Sequence, residues 1–156
     1  MDSAARRTLI DLYHSGYDAV VDALDGVTSD EMDRTMAGEW STRQIVHHLA
    51  DSETNSYLRL RKLLAEDGTV IQAYDENVWA IQPWYGGPID SSLAVLKAVR
   101  ESTGLLLESM EDAHWARTGT HSESGAFSAT KWLEWYSQHP HDHADQVRRA
   151  RRGYHN

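Results

Sequence analysis

The sequence predicts an all-α protein, an antiparallel four-helix bundle with one long aromatic loop and a small hairpin. Three observations predict it. Four long segments repeat apolar residues in steps of three and four, the period of a helix with one buried face. One of them opens on a strong start signal, Ser41 followed by Gln44. No internal repeat, low-complexity tract or domain boundary interrupts the chain, so residues 1–156 read as one domain.

In the first helix Ile10, Tyr13, Tyr17, Val20 and Leu24 share a face, and Gly26 ends the run. A short turn follows, with Thr28 and Glu31 spaced as a capping box. The second helix starts at Ser41 as N-cap, with Gln44 returning the bond and Trp40 placed to staple onto Ile45. Its stripe runs through Ile45, Leu49, Leu60, Leu63 and Leu64. His48 lies within that stripe, followed on the same side by Ser52 and Asn55, while His47 points well away, to the surface or behind a ligand. Leu93, Leu96, Val99, Thr103, Leu106 and Met110 mark the third helix, capped by Asp90 or Ser91. The fourth carries Trp132, Tyr136, His139, His143, Val147 and Ala150 on one stripe.

Two connections are long. Residues 67–88 hold Tyr74, Asp75, Glu76, Trp79, Trp84 and Tyr85, and loops of this length are usually lids or binding loops. Residues 112–127 contain a Ser124-Gly125 turn able to close a hairpin.

Bulk properties narrow the function. A formal charge of −9 argues against nucleic acid, and the arginines in 148–152 suit the negative end of a helix. No apolar run approaches the ~20 residues that cross a bilayer, and the start lacks an apolar signal segment, so the expected location is cytoplasmic. With no cysteine there is no disulfide, no thiolate metal site and no cysteine nucleophile. Six Trp and seven Tyr against one Phe favour half-wet positions, as in a cavity or a subunit interface.

His139 and His143, spaced i, i+4, sit one above the other on a helix face and can share a metal ion. His48, from another helix, would complete a set that leaves open positions for water or substrate. Taken alone, His48 reads as a core histidine satisfied by Ser52 or a backbone carbonyl; the His139/His143 pair turns the reading to a ligand. Pro140 lacks an N–H and clashes with the carbonyl of Tyr136, so the fourth helix should kink there or restart near His139. His141 would serve only on an irregular backbone. Gln146, one turn past His143, could orient that ring or a bound water. Asp142 could accept the free N–H of His139. Asp75 and Glu76 are the choices for general base if the aromatic loop folds over the site, and exposed turn acids otherwise. Asn55 and Ser56 could line the pocket. His14, His114, His121 and His155 read as surface or loop residues.

These residues, in order, resemble the DinB superfamily and, within it, the YfiT-like metal-dependent hydrolases. The likeness rests on Trp40-Ser41, the run His48-Leu49-Ala50-Asp51-Ser52, Asn55-Ser56-Tyr57, Tyr74-Asp75-Glu76 with Trp79, and His139-x-x-x-His143-x-x-Gln146. It implies a four-helix bundle, often dimeric, with zinc or nickel held by His48, His139 and His143. It also implies either hydrolysis or transfer of a small thiol, such as bacillithiol or mycothiol, on a small-molecule substrate. The rival is a non-catalytic, metal-stabilised bundle acting as a dimeric interaction module. A fourth protein ligand would favour that rival, and an open site the enzyme.

Overall fold

The computed structural model describes residues 1–154, which leaves His155 outside the described residues. Four long helices form the body: α1 (Ser3–Leu24), α3 (Thr42–Ala65), α5 (Asp90–Ser109) and α7 (Ala129–Arg151), with a short α2 (Ser29–Asp33) between the first two. α1 stops where expected, with Gly26 in the left-handed region at φ 63°. Both predicted capping boxes form: Thr28 with Glu31 before α2, and Ser41 with Gln44 before α3. The third long helix departs from expectation. Neither Asp90 nor Ser91 caps it; Ile89 flanks it without a side-chain bond, and Asp90 lies in the first turn, where a carboxylate suits the positive helix end.

The bundle is not simply antiparallel. One apolar cluster joins Ile10, Leu63, Leu107 and Trp132, and the other joins Val20, Ile45, Leu96 and Val147. Chain direction between the clusters is therefore shared by α1 and α7, and opposite to that shared by α3 and α5. Contacts agree. His141 reaches Leu12 while Arg151 reaches Ala23, so α1 and α7 lie parallel. His47 meets Ser92 and Glu53 meets Arg100, so α3 and α5 do too. Parallel neighbours cannot be joined by a tight turn, which explains the long link after α3: it carries the chain back along the bundle.

Nor is the fold strictly all-α. That link holds β1 (Val70–Ile71), α4 (Glu76–Ala80) and a 3-10 turn at Pro83–Gly86. After α6 (Asp112–Trp115), the predicted hairpin forms from β2 (Thr118–His121) and β3 (Gly125–Ser128), with Gly125 at φ 72°. β1 pairs with β2 in parallel, Val70 opposite Thr120 and Ile71 opposite His121. A side chain at Gly119 would come within 2.6 Å of the Thr69 carbonyl oxygen, so this close approach requires glycine. Among the described residues no helix is long and apolar enough to cross a membrane.

Between the two clusters lies a polar layer. Glu53 of α3 is fully buried and accepts from Arg100 of α5 at 2.5 Å and from the Tyr13 hydroxyl of α1 at 3.2 Å. The three histidines lie next to this layer on the side of the second cluster, whose Ile45 and Leu49 flank His48.

Candidate metal centre

α3 is fixed at its start from two sides, which sets the rotation of His48. Gln44, besides closing the capping box, donates to the Ala80 carbonyl at 2.8 Å and ties α3 to α4. Trp40 belongs to the apolar cluster containing Ile45, as a staple should, and its ring also lies 4.7 Å from that of His48 and stacks at 6.3 Å on His143. The indole thereby covers one side of the histidines.

α7 supplies the other two rings. It remains helical from Ala129 to Arg151 with Pro140 inside, so no fresh helix starts at His139. His139 and His143 stay on one face, with Nε2 atoms 3.1 Å apart, and His48 Nε2 is 3.4 Å from His139 Nε2. All three nitrogens fall within 4.8 Å of one another. His141 turns to α1 instead, where its Nε2 meets the Leu12 carbonyl at 3.1 Å and the Ser15 hydroxyl at 3.3 Å.

The protonation of this cluster follows from its surroundings. Burial, and then the neighbouring His143, push His48 down to about 3. Burial likewise lowers His139 and His143 from the ordinary histidine value. All three imidazoles are therefore neutral at pH 7. The amide oxygen of Gln146 lies 2.7 Å from His143 Nδ1 and can only accept, so the proton of His143 sits on Nδ1 and its Nε2 presents a lone pair. Three neutral imidazoles converging in this way fit a divalent ion of the zinc or nickel type. Zn–N bonds of ~2.0–2.1 Å at tetrahedral angles place nitrogens ~3.3 Å apart, close to the two separations above. The Nδ1 atoms of His48 and His139 are buried without protein partners.

Unfolded histidines titrate near 6.5, whereas folded His48 titrates near 3, so below the first value the unfolded chain binds more protons. Stability of the metal-free protein should thus be full above pH 6.5 and decline as pH falls towards 3. Denaturant titrations in chelator across this range should show a steeper decline for the native chain than for His48→Phe; equal slopes would contradict the assignment.

Of the residues expected around the histidines, the structure brings in Glu76 and Gln146. Glu76 Oε2 is 3.9 Å from His48 Nε2, and burial raises its pKa against the pull of Arg59. Asp75 is instead the N-cap of α4, accepting from the Val78 N–H at 3.0 Å, and is exposed. Asn55 donates to the Asp51 carbonyl one turn back at 2.9 Å. Ser56 is buried beneath Trp132, whose indole N–H reaches its carbonyl at 3.0 Å. Asp142 accepts from Gln138 rather than from His139. Neither His47 nor His121 is a surface residue. His47 is buried between Ser92 and the Gly87 carbonyl, and His121 between Phe127 and the hairpin turn, whose N–H groups it accepts.

A cavity of about 520 Å³ opens beside His139, lined by Ser52, Arg59, Tyr74, Glu76 and Tyr136 among others. A second of about 300 Å³ reaches His143 and Gln146 from the Trp40 side, with Glu76 again on its wall. Ser52 follows His48 at i+4, a spacing that marks it in the sequence. Arg59 and Tyr136 carry no such mark; they form a wall because the Arg59 guanidinium donates to the Tyr136 hydroxyl at 2.6 Å.

Fold and site together define a class: a four-helix bundle with three inward histidines from two antiparallel helices, placed to hold one metal ion beside a cavity. The chain belongs to the DinB superfamily, whose sequence model matches residues 12–147. A protein of Oceanobacillus iheyensis named "Putative metal-dependent hydrolase" is 37% identical over 111 residues, 71% of this chain and 64% of that protein. One of the same name from Bacillus mycoides is 34% identical over 110 residues, 70% and 64% of the two chains. The matches thus span just under two thirds of the length of these relatives. The solved structure of YfiT from Bacillus subtilis, described as "a probable metal-dependent hydrolase with an unusual four-helix bundle topology", superposes with a TM-score of 0.91 at 26% identity, covering 97% of this chain and 89% of that one.

Proposed function

We propose that this protein is a metal-dependent enzyme, a hydrolase or thiol S-transferase acting on a small molecule, with His48, His139 and His143 as ligands of one zinc or nickel ion. The observation that carries the reading is the convergence of three neutral imidazole nitrogens, with His139 on the wall of the larger cavity and His143 on the wall of the smaller. Among the described residues this group has three members, which favours an open site over a closed structural one. When bound, the ion supplies Lewis acidity that makes water or a thiol a stronger acid and a nucleophile at neutral pH.

The chain's own groups do the rest. Gln146 keeps the His143 proton on Nδ1, so the opposite nitrogen is free to ligate. The Glu76 carboxylate takes the proton from the attacking water or thiol, and its raised pKa suits a base. Ser52 and Tyr74 line the cavity; the Tyr74 hydroxyl, buried and without a protein partner, is a hydrogen-bonding group for substrate. Any sulfur nucleophile comes from a low-molecular-weight thiol cosubstrate, because the chain has no cysteine.

Protein purified without a histidine tag should carry one equivalent of zinc or nickel by elemental analysis. The loaded protein should turn over an activated ester or join a small thiol to a generic electrophile. Glu76→Gln should keep the metal and lose roughly 10²–10⁴-fold in kcat. A metal-free preparation that takes up no ion on titration would overturn the reading. The proposal includes a homodimer, favoured by the exposure of Ile81 (76%) and Trp84 (62%) on the link between α3 and α5. Light scattering should give twice the 17.7 kDa chain mass, and a constant monomer mass would refute it.

A further inference from the structure

Pro140 leaves a defect in α7 that the rest of the bundle answers. Having no N–H, it deprives the Tyr136 carbonyl of its helical donor, one turn before the ligand pair. That carbonyl faces the buried layer, where an unpaired acceptor is costly. Arg100, 4% exposed on α5, supplies a donor: its Nη1 lies 3.4 Å from the Tyr136 oxygen while also bonding Glu53 at 2.5 Å. Its other terminal nitrogen donates to the Tyr13 carbonyl of α1. Gly16 makes room on α1 for both partners. A Cβ there would fall 2.6 Å from Arg100 Nη2 and 2.8 Å from Pro140 Cγ. One guanidinium thus contacts α1, α3 and α7 at the residue preceding His139's turn.

We infer that Arg100 is a positioning residue for His139: its guanidinium stands in for the hydrogen bond that Pro140 removes, and so holds α7 in the shape that aims the His139 ring at His48 and His143. The helix needs this donor only because residue 140 is proline. With alanine there, a backbone N–H would close onto Tyr136 and the i, i+4 pair would be held by an ordinary helix. Arg100 and Pro140 should therefore be coupled, which a purely structural ion pair would not be. The role in ligand placement rests on the metal-site reading above; the coupling itself does not.

The test compares four full-length proteins: native, Glu53→Met/Arg100→Met, Pro140→Ala, and the triple variant. Replacing both charges together avoids stranding a buried carboxylate, which would threaten folding. Two measurements are made: Zn²⁺ affinity by competition with a chromogenic chelator, with the visible spectrum of the Co²⁺ form, and amide exchange of residues 141–144 in metal-free protein. The charge-free pair should bind Zn²⁺ roughly 10- to 100-fold more weakly, with an altered Co²⁺ spectrum and faster exchange at 141–144 than at 45–49 of α3. Pro140→Ala should stay within about threefold of native, and the triple variant should return to that level. An equal loss with and without Pro140, or no loss in the charge-free pair, would overturn the inference. If the native protein binds no Zn²⁺, the functional reading fails and the exchange comparison still decides: protection at 141–144 that ignores residue 140 refutes the clamp, and protection restored by Pro140→Ala supports it.

Discussion

Replacing His48 with alanine should abolish stoichiometric metal binding, and His143→Ala should do the same, each weakening affinity by at least about 100-fold. Each removes one of three nitrogens that sit within 4.8 Å of one another, and two imidazoles alone hold a zinc-type ion poorly. His114→Ala is the control. Its ring accepts the Glu111 N–H at the start of α6 and lies outside the group, so metal content should be unchanged. Elemental analysis after gel filtration reads all three. Full retention of metal in His48→Ala would remove the three-histidine centre.

The second large effect is expected at the buried ion pair. Arg100→Met strands the Glu53 carboxylate in a site with no exposure, where burial already raises its pKa and Arg100, ahead of the Tyr13 hydroxyl, opposes the rise. Removing one partner of such a pair typically costs about 3–5 kcal/mol. At ~2–4 °C per kcal/mol for a chain of this size, the melting temperature should fall by roughly 6–20 °C. Glu53→Met/Arg100→Met should lose clearly less, since isosteric apolar pairs often replace buried ion pairs without penalty. Thermal melts at pH 7 compare the two; a single variant as stable as the double would show that Glu53 finds another partner.

The parts of this protein that repeat locally were legible in the chain. Apolar residues at helical spacing mark the four long helices, because burying one face is what makes such a segment helical. The Ser41–Gln44 and Thr28–Glu31 caps were readable because each is closed by side chains within three residues of each other. The same locality marks His139, His143 and Gln146, and His48 is marked by its place in the apolar stripe of the second helix, with the resemblance joining the three histidines into one set. Glu76 was one of two adjacent acids, and sequence offers no way to choose between them. Asp75 became a helix cap, which directs its carboxylate at its own backbone and leaves Glu76 to face His48.

Long-range features were not legible. Chain direction in the bundle depends on which clusters the helix ends join, and a helix stripe reads the same in either direction. β1 has two residues, too few for a period, and exists because β2 offers an edge for it to pair with. Glu53, Arg100 and Tyr13 are far apart in the chain, and a lone glutamate on a helix is ordinarily solvated. Only packing shows that it meets an arginine in the core. Pro140 illustrates both halves. Its missing N–H, and therefore a defect at Tyr136, follow from the sequence alone. Whether that defect would break the helix was decided by a donor from α5 and a gap at Gly16, because a buried carbonyl is satisfied by whatever the fold places beside it.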